Sequence, residues 1–235
     1  MVMLKLESIT AGYGELTVLS ELNIVVNKGE TVCLIGPNGA GKSTVLRVVA
    51  GQLLPTKGKV LFNNQDISRT DCTHKIEQGI LFVPQGRNVF PSLSLLENLN
   101  LCQIFISESL FQERLDTVLT TFPWMKEKLH SPAGSLSGGL RQMLALSRIF
   151  LLKPKLVLLD EPSLGLSPLV VDDIFSTIST LNQQGISFLL VEQNARKGLS
   201  VANRGYVLES GQNRLTGSGQ ELLVNSEVTR LYLGG

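Results

Sequence analysis

The run TVCLIGPNGAGKST, Thr31 to Thr44, limits what this chain can fold into more than any other stretch. Apolar, partly β-branched residues from Val32 to Ile35 predict a buried strand, which feeds into glycines and then a helix-like segment from Lys42 to Ala50. Across that junction Gly36, Pro37, Asn38, Gly39, Ala40, Gly41, Lys42 and Ser43, followed by Thr44, spell G-x-x-x-x-G-K-[ST], a phosphate-binding loop. Glycines let backbone N–H groups turn inward around phosphate oxygens, and the helix N-terminus adds a positive dipole end. Lys42 is expected to reach the β and γ phosphates, and the Ser43 hydroxyl to ligate Mg²⁺. The stretch predicts a nucleoside triphosphate site.

At 235 residues, 43% of them hydrophobic, the chain can bury a sizeable core as one large domain or a core with an inserted subdomain. Lys+Arg 21 against Asp+Glu 20 leaves no basic excess, so nucleic acid is not an expected partner. No apolar run reaches the roughly 18 residues that span a bilayer, and MVMLKLES lacks the features of a signal peptide, so a cytosolic chain is expected. Cys33, Cys72 and Cys102 are far apart, which suggests neither disulfides nor a zinc site, and Cys33 reads as packing.

Along the chain, Leu4 to Ile9 and Leu22 to Val26 predict strands around a turn-rich Ala11 to Glu15. Asn27 to Glu30 predicts a tight turn into Val32, giving an antiparallel, hairpin-like opening. A strand at Lys59 to Phe62, a helix near Thr73 to Gln78 capped by Gly79, and a buried strand at Ile80 to Val83 follow. From about Asn88 to Leu152 the pattern turns helical, with Leu95 to Ile106 and Leu110 to Phe122 at helical spacing and an irregular connection from Phe122 to Ala133. Next, Leu140, Met143, Leu144, Ser147, Phe150 and Leu151 share one helical face, with Arg141, Gln142 and Arg148 off it. Strand and helix then alternate again: Leu156 to Leu159, Leu169 to Asn182, Ser187 to Val191, Ala195 to Val201. A hairpin around Ser210-Gly211 and one or two short helices end the chain.

Leu156 to Leu159 delivers two carboxylates, Asp160 and Glu161, at the strand end where ligands of parallel sheets sit. Asp160 is placed to hold Mg²⁺ through water, and Glu161 to polarise the water that attacks the γ-phosphate. Ser137-Gly138-Gly139 on its own would read as a serine cap with flexible glycines. The order of features says more: a phosphate loop, Gln85 after a strand, LSGG at Leu136 to Gly139, then LLLDEP. In that order the chain resembles the ATP-binding cassette family over essentially its whole length.

The resemblance implies an α/β fold: a P-loop NTPase core with an antiparallel β subdomain and an inserted helical subdomain. The single domain 1–235 would then divide into a core of 1–87 and 153–235 and an insertion of 88–152. It implies that Tyr13 stacks on adenine, that Gln85 contacts Mg²⁺ and water, and that Ser137, Gly138 and Gly139 bind the γ-phosphate held by a facing subunit. Leu140, Ser167 and Gln193 depart from the family's usual Gln or Glu, Asp and switch histidine. Gln193 still offers an amide donor to the γ-phosphate but cannot titrate.

A closer resemblance is to one of the two ATP-binding subunits of branched-chain amino acid importers. It is carried by Pro84-Gln85-Gly86-Arg87, Val89-Phe90-Pro91, Glu161 to Val171, Val191 to Arg196, and Tyr232-Leu233-Gly234-Gly235. This implies ATP with Mg²⁺ as substrate and catalysis by Glu161 with Gln193. It implies a heterodimer with a sister ATP-binding subunit, transmembrane permease subunits, a solute-binding protein reached indirectly, and a peripheral place on the cytoplasmic face of the plasma membrane. ATPases for urea or short amides, and a non-hydrolysing regulatory cassette, are the alternatives, the second opposed by Glu161.

Overall fold

The computed structural model describes residues 1–86 and 88–232. Arg87 and Leu233-Gly234-Gly235, which belong to two of the resembling strings, lie outside the described residues. The chain opens with β1 (Val2–Tyr13), β2 (Leu16–Asn27), β3 (Thr31–Ile35) and α1 (Lys42–Ala50). It continues through β4 (Lys57–Phe62), β5 (Gln65–Asp66), α2 (Cys72–Glu77) and β6 (Ile80–Val83). A helical stretch follows: α3 (Leu95–Asn100), α4 (Glu108–Thr121), α5 (Trp124–Lys128) and α6 (Gly138–Leu152). Then come β7 (Leu156–Asp160), α7 (Pro168–Gln183), β8 (Ser187–Val191) and α8 (Ala195–Val201). The hairpin β9 (Arg204–Glu209) and β10 (Gln212–Ser218), with α9 (Gly219–Val224) and α10 (Ser226–Tyr232), completes the fold.

Two sheets divide the strands: an antiparallel one in the order β2-β1-β4-β5, and a larger one in the order β10-β9-β3-β8-β7-β6. In the larger sheet β3, β8, β7 and β6 run parallel. Every residue of β3, β7 and β8 is buried, as expected of parallel strands covered on both faces. Side chains alternate between two cores. Val157 and Leu159 of β7, with Phe188 and Leu190 of β8, join the core under the helical stretch, whereas Leu156, Leu158, Leu189 and Val191 join the core shared with α1 and the antiparallel sheet. Each such Leu or Val contributes about 1.5–3 kcal/mol of burial.

Four expectations are corrected. The turn at Asn27–Glu30 exists, with Glu30 N donating to Asn27 O at 3.1 Å, but it carries the chain from one sheet to the other. The hairpin lies earlier, between β1 and β2. Leu95 to Ile106 is divided, since α3 gives way to a 3₁₀ turn at Leu101–Ile104. The connection after Phe122 holds a short helix, α5, which starts after Pro123 and buries Met125. Finally, α6 is buried beyond one face: Ala145, Leu146 and Ile149 are also covered, and Arg148 is drawn into hydrogen bonds with Asn88 and Asn98.

Candidate nucleotide site

Four parallel strands end at one edge, and each end delivers a predicted residue: β3 the phosphate loop, β6 Gln85, β7 Asp160 and Glu161, β8 Gln193. Ligands of open α/β sheets bind at this edge. In the loop Gly36 (φ 146°) and Gly41 (φ 94°) hold conformations reserved for glycine. A Cβ on Gly36 would lie 2.1 Å from Leu208 O, so the loop is packed against β9 with no space for a side chain. α1 starts from Gly41 with no side-chain cap, which leaves its first-turn N–H groups for a ligand's phosphates.

Lys42 is 6% exposed, and its Nζ donates to Gly36 O and Pro37 O, both at 2.9 Å. Burial lowers the pKa of its ammonium, and the nearby Glu161 and Asp160 charges partly offset this. Ser43 Oγ donates to Asp160 Oδ1 at 2.8 Å. Burial raises the Asp160 carboxyl, against the Ser43 hydrogen bond. Glu161 is raised too, first by burial and then by the Asp160 charge. Gln85 Nε2 donates to Glu161 Oε2 at 3.0 Å, which brings together Lys42, Ser43, Gln85, Asp160 and Glu161. Tyr13, half-exposed at the end of β1, accepts from Arg47 Nη1 of α1 at 2.8 Å, so its ring is tethered to the phosphate-loop helix.

The other predicted residues make no hydrogen bond to this group among the described residues. Ser137 is exposed and its hydroxyl accepts from Leu140 N at 3.3 Å, capping α6. Gly139 lies where a Cβ would come within 2.8 Å of Val170 Cγ1 of α7. Among the described residues no hydrogen bond joins 137–139 to the phosphate loop. Leu140, a departure from the family pattern, packs against the helical core, which accounts for an apolar residue there. Ser167 precedes α7 without capping it through its side chain. Gln193 is exposed and lines a groove of about 460 Å³ with the turn Ser163 to Leu166.

Two groups escaped the reading of the sequence. Glu192, 1% exposed, accepts from Ser163 Oγ at 2.8 Å and Asn194 N at 3.0 Å. Its signal was the same as that of Asp160, an acidic residue closing a buried run. The second group holds the loop before α3. Asn98 Oδ1 accepts from Phe90 N at 2.8 Å while its Nδ2 donates to Phe90 O at 3.0 Å, and Arg148 Nη1 donates to Asn88 O at 2.8 Å. Phe90 itself is 55% exposed, over a groove of about 660 Å³ that Pro84, Val89, Pro91, Arg141 and Arg148 also line.

Known proteins fit this geometry. The model of the ABC transporter family matches residues 19–164. The chain is 41% identical over 233 residues to the high-affinity branched-chain amino acid transport ATP-binding protein BraG of Pseudomonas aeruginosa, covering 99% of this chain and 100% of that one. It is 34% identical to the probable branched-chain amino acid transport ATP-binding protein LivF of Archaeoglobus fulgidus, covering 99% of each. The dimeric post-hydrolysis structure of the ATP-binding cassette MJ0796, bound to ADP and Pi, matches with a TM-score of 0.81 and 27% identity, over 92% of this chain and 98% of that one. On this sequence, fold and strand-edge chemistry, the chain belongs to the ABC transporter family.

Proposed function

We propose that this chain is the ATP-hydrolysing subunit of a membrane importer for branched-chain or other neutral amino acids. The observation that carries the chemistry is the meeting of Lys42, Ser43, Gln85, Asp160 and Glu161 at one strand edge. The similarity to BraG supports the cargo class. ATP fits the uncapped N-terminus of α1, and the phosphates would draw Lys42 Nζ from the loop carbonyls it now holds.

Ser43 Oγ, Asp160 and Gln85 form an all-oxygen donor set suited to Mg²⁺, which when bound neutralises charge on the phosphates. Glu161 accepts a proton from the attacking water, and burial, which raises its pKa, strengthens the carboxylate as a base. Gln85 orients that carboxylate, and Gln193 contributes an amide donor that cannot titrate. Domain limits follow the resemblance, with 88–152 as the helical insertion.

Ser137, Gly138 and Gly139 serve the facing subunit, so the working unit is a dimer with ATP between the phosphate loop of one cassette and the signature of the other. The sister ATP-binding subunit is the proposed partner. No helix among the described residues is long and apolar enough to cross a membrane. We place the chain at the cytoplasmic face, with permease subunits on the exposed Phe90 loop and a solute-binding protein acting through them. The test is uptake of labelled leucine, alanine and urea by vesicles holding the assembled importer. Leucine or alanine uptake that requires ATP and is lost in Phe90→Asp, with ATPase activity of the isolated chain retained, supports the reading; urea uptake alone contradicts the cargo.

A further inference from the structure

Glu161 has an unusual backbone for a non-glycine residue, left-handed at φ 46°, and such a conformation persists only where its surroundings hold it. Two backbone bonds do so: Glu161 N donates to Val191 O at 2.9 Å, and Leu164 N donates to Glu161 O at 3.2 Å. The third tie is made by side chains. Ser163, in the turn that follows Glu161, gives its hydroxyl to Glu192 Oε1, and the same oxygen accepts the N–H of Asn194. One buried carboxyl oxygen therefore joins the loop leaving β7 to the loop leaving β8.

Holding that carboxyl there is costly. Its Oε2 is buried and has no hydrogen-bond partner among the described residues. α8 closes over it, since a Cβ on Gly198 would fall 3.0 Å from Glu192 Cβ and 2.7 Å from Cys33 Sγ. Burial raises the Glu192 pKa, the hydrogen bonds from Asn194 and Ser163 offset part of the rise, and the Glu161 charge adds a smaller increment. Stability alone favours a smaller neutral residue with every polar atom satisfied.

We infer that Glu192 is a positioning residue for ATP hydrolysis: by fastening the Ser163 turn to the Gln193-Asn194 loop, it fixes where the Glu161 carboxylate points. This rests on the hydrolytic reading of the site. Both bonds are accepted by one oxygen, so the role is that of an acceptor and an amide oxygen fills it equally well.

The experiment is a single-turnover ATPase assay on the assembled transporter with the sister subunit's catalytic glutamate disabled, alongside titration with a fluorescent ATP analogue and thermal melting. Glu192→Ala is expected to slow hydrolysis roughly 10-fold, the loss of two hydrogen bonds, with nucleotide affinity within about two-fold of wild type. Glu192→Gln keeps most of the rate, and Ser163→Ala falls between. The inference is overturned by a wild-type rate in Glu192→Ala, by rate, affinity and melting temperature falling together, or by glutamine as harmful as alanine. Should Glu192→Ala not fold, Ser163→Ala decides, and a wild-type rate there overturns the inference. A wild-type protein that hydrolyses nothing, or an unimpaired Glu161→Gln, instead overturns the hydrolytic reading itself.

Discussion

The two helix N-termini proposed to meet ATP are built differently. α1 has no side-chain cap, its approach is locked by glycines at positive φ, and Lys42 is buried against the loop's own carbonyls. α6 is already capped by the Ser137 hydroxyl, and its glycines hold ordinary backbone angles. Gly138 is exposed, while Gly139 serves close packing on Val170. The first end is complete within the chain and needs only its ligand. The second is a surface, whose remaining donors would, in the proposed dimer, exchange water for a phosphate presented by another cassette.

The largest expected effect tests whether the finished half also holds the chemistry. Glu161→Gln keeps the shape and the acceptor for Gln85 but removes the base, so turnover should fall roughly 10²-fold or more. ATP binding should persist, and ATP-loaded dimer should accumulate in size-exclusion chromatography. Unchanged turnover would remove Glu161 from catalysis. Lys42→Ala comes next: it deletes a charge-assisted phosphate contact of roughly 1.5–3 kcal/mol, so ATP affinity of the isolated chain should drop about 10- to 150-fold by calorimetry. Near-normal affinity would mean that the phosphate loop is not the binding half.

Ser137→Ala is a smaller perturbation and separates the two halves directly. The isolated chain should bind ATP as wild type does, because Ser137 has no bond to its own phosphate loop. ATP-driven dimerisation should weaken several-fold, since the facing phosphate loses a hydroxyl contact of roughly 0.5–1.5 kcal/mol. Losing the α6 cap should cost a further ~1 kcal/mol of stability. Weakened ATP binding by the monomer would break the division between the halves.

That division was partly visible in the amino-acid sequence. Motifs such as Gly36 to Ser43 and Asp160-Glu161 are legible because phosphate and Mg²⁺ chemistry admits few residue types at fixed spacing. β7 and β8 are legible because strands covered on both faces must be apolar throughout. The turn at Asn27–Glu30 was misread because the same tight-turn chemistry serves a hairpin or a passage between sheets, and only tertiary pairing distinguishes them. α5 was missed because a helix of one turn is held by burying Met125 and not by propensity. Arg148 and Glu192 were missed because charged side chains are ordinarily outside, and their partners, Asn98 and Ser163, are distant in sequence.

The far ends of the two helices differ as well, and give the smallest effect. α6 ends on Lys153 in a left-handed conformation, φ 46°, with its N–H on Ile149 O. α1 instead ends at Gly51 beneath Lys75 of α2, only 1% exposed, whose Nζ donates to Val48 O at 3.3 Å. A cation at a helix C-terminus is favourable, yet burial lowers the Lys75 pKa from 10.5 to about 8. Between those values the unfolded chain holds a proton that the folded chain has released, so this group makes stability rise with pH from about 8 to 10.5. Below that window both states are protonated and the burial cost is constant. Lys75→Met keeps the apolar stem and removes the charge, so it should be more stable than wild type at pH 7 by about 1 kcal/mol, a melting shift of roughly 2–4 °C for a chain of this size. That advantage should shrink steadily from pH 8 to pH 10, with ATP affinity unchanged because the phosphate end of α1 is untouched. A pH-independent difference would show that Lys75 stays charged inside the fold, and altered ATP affinity would show that the two ends of α1 are coupled.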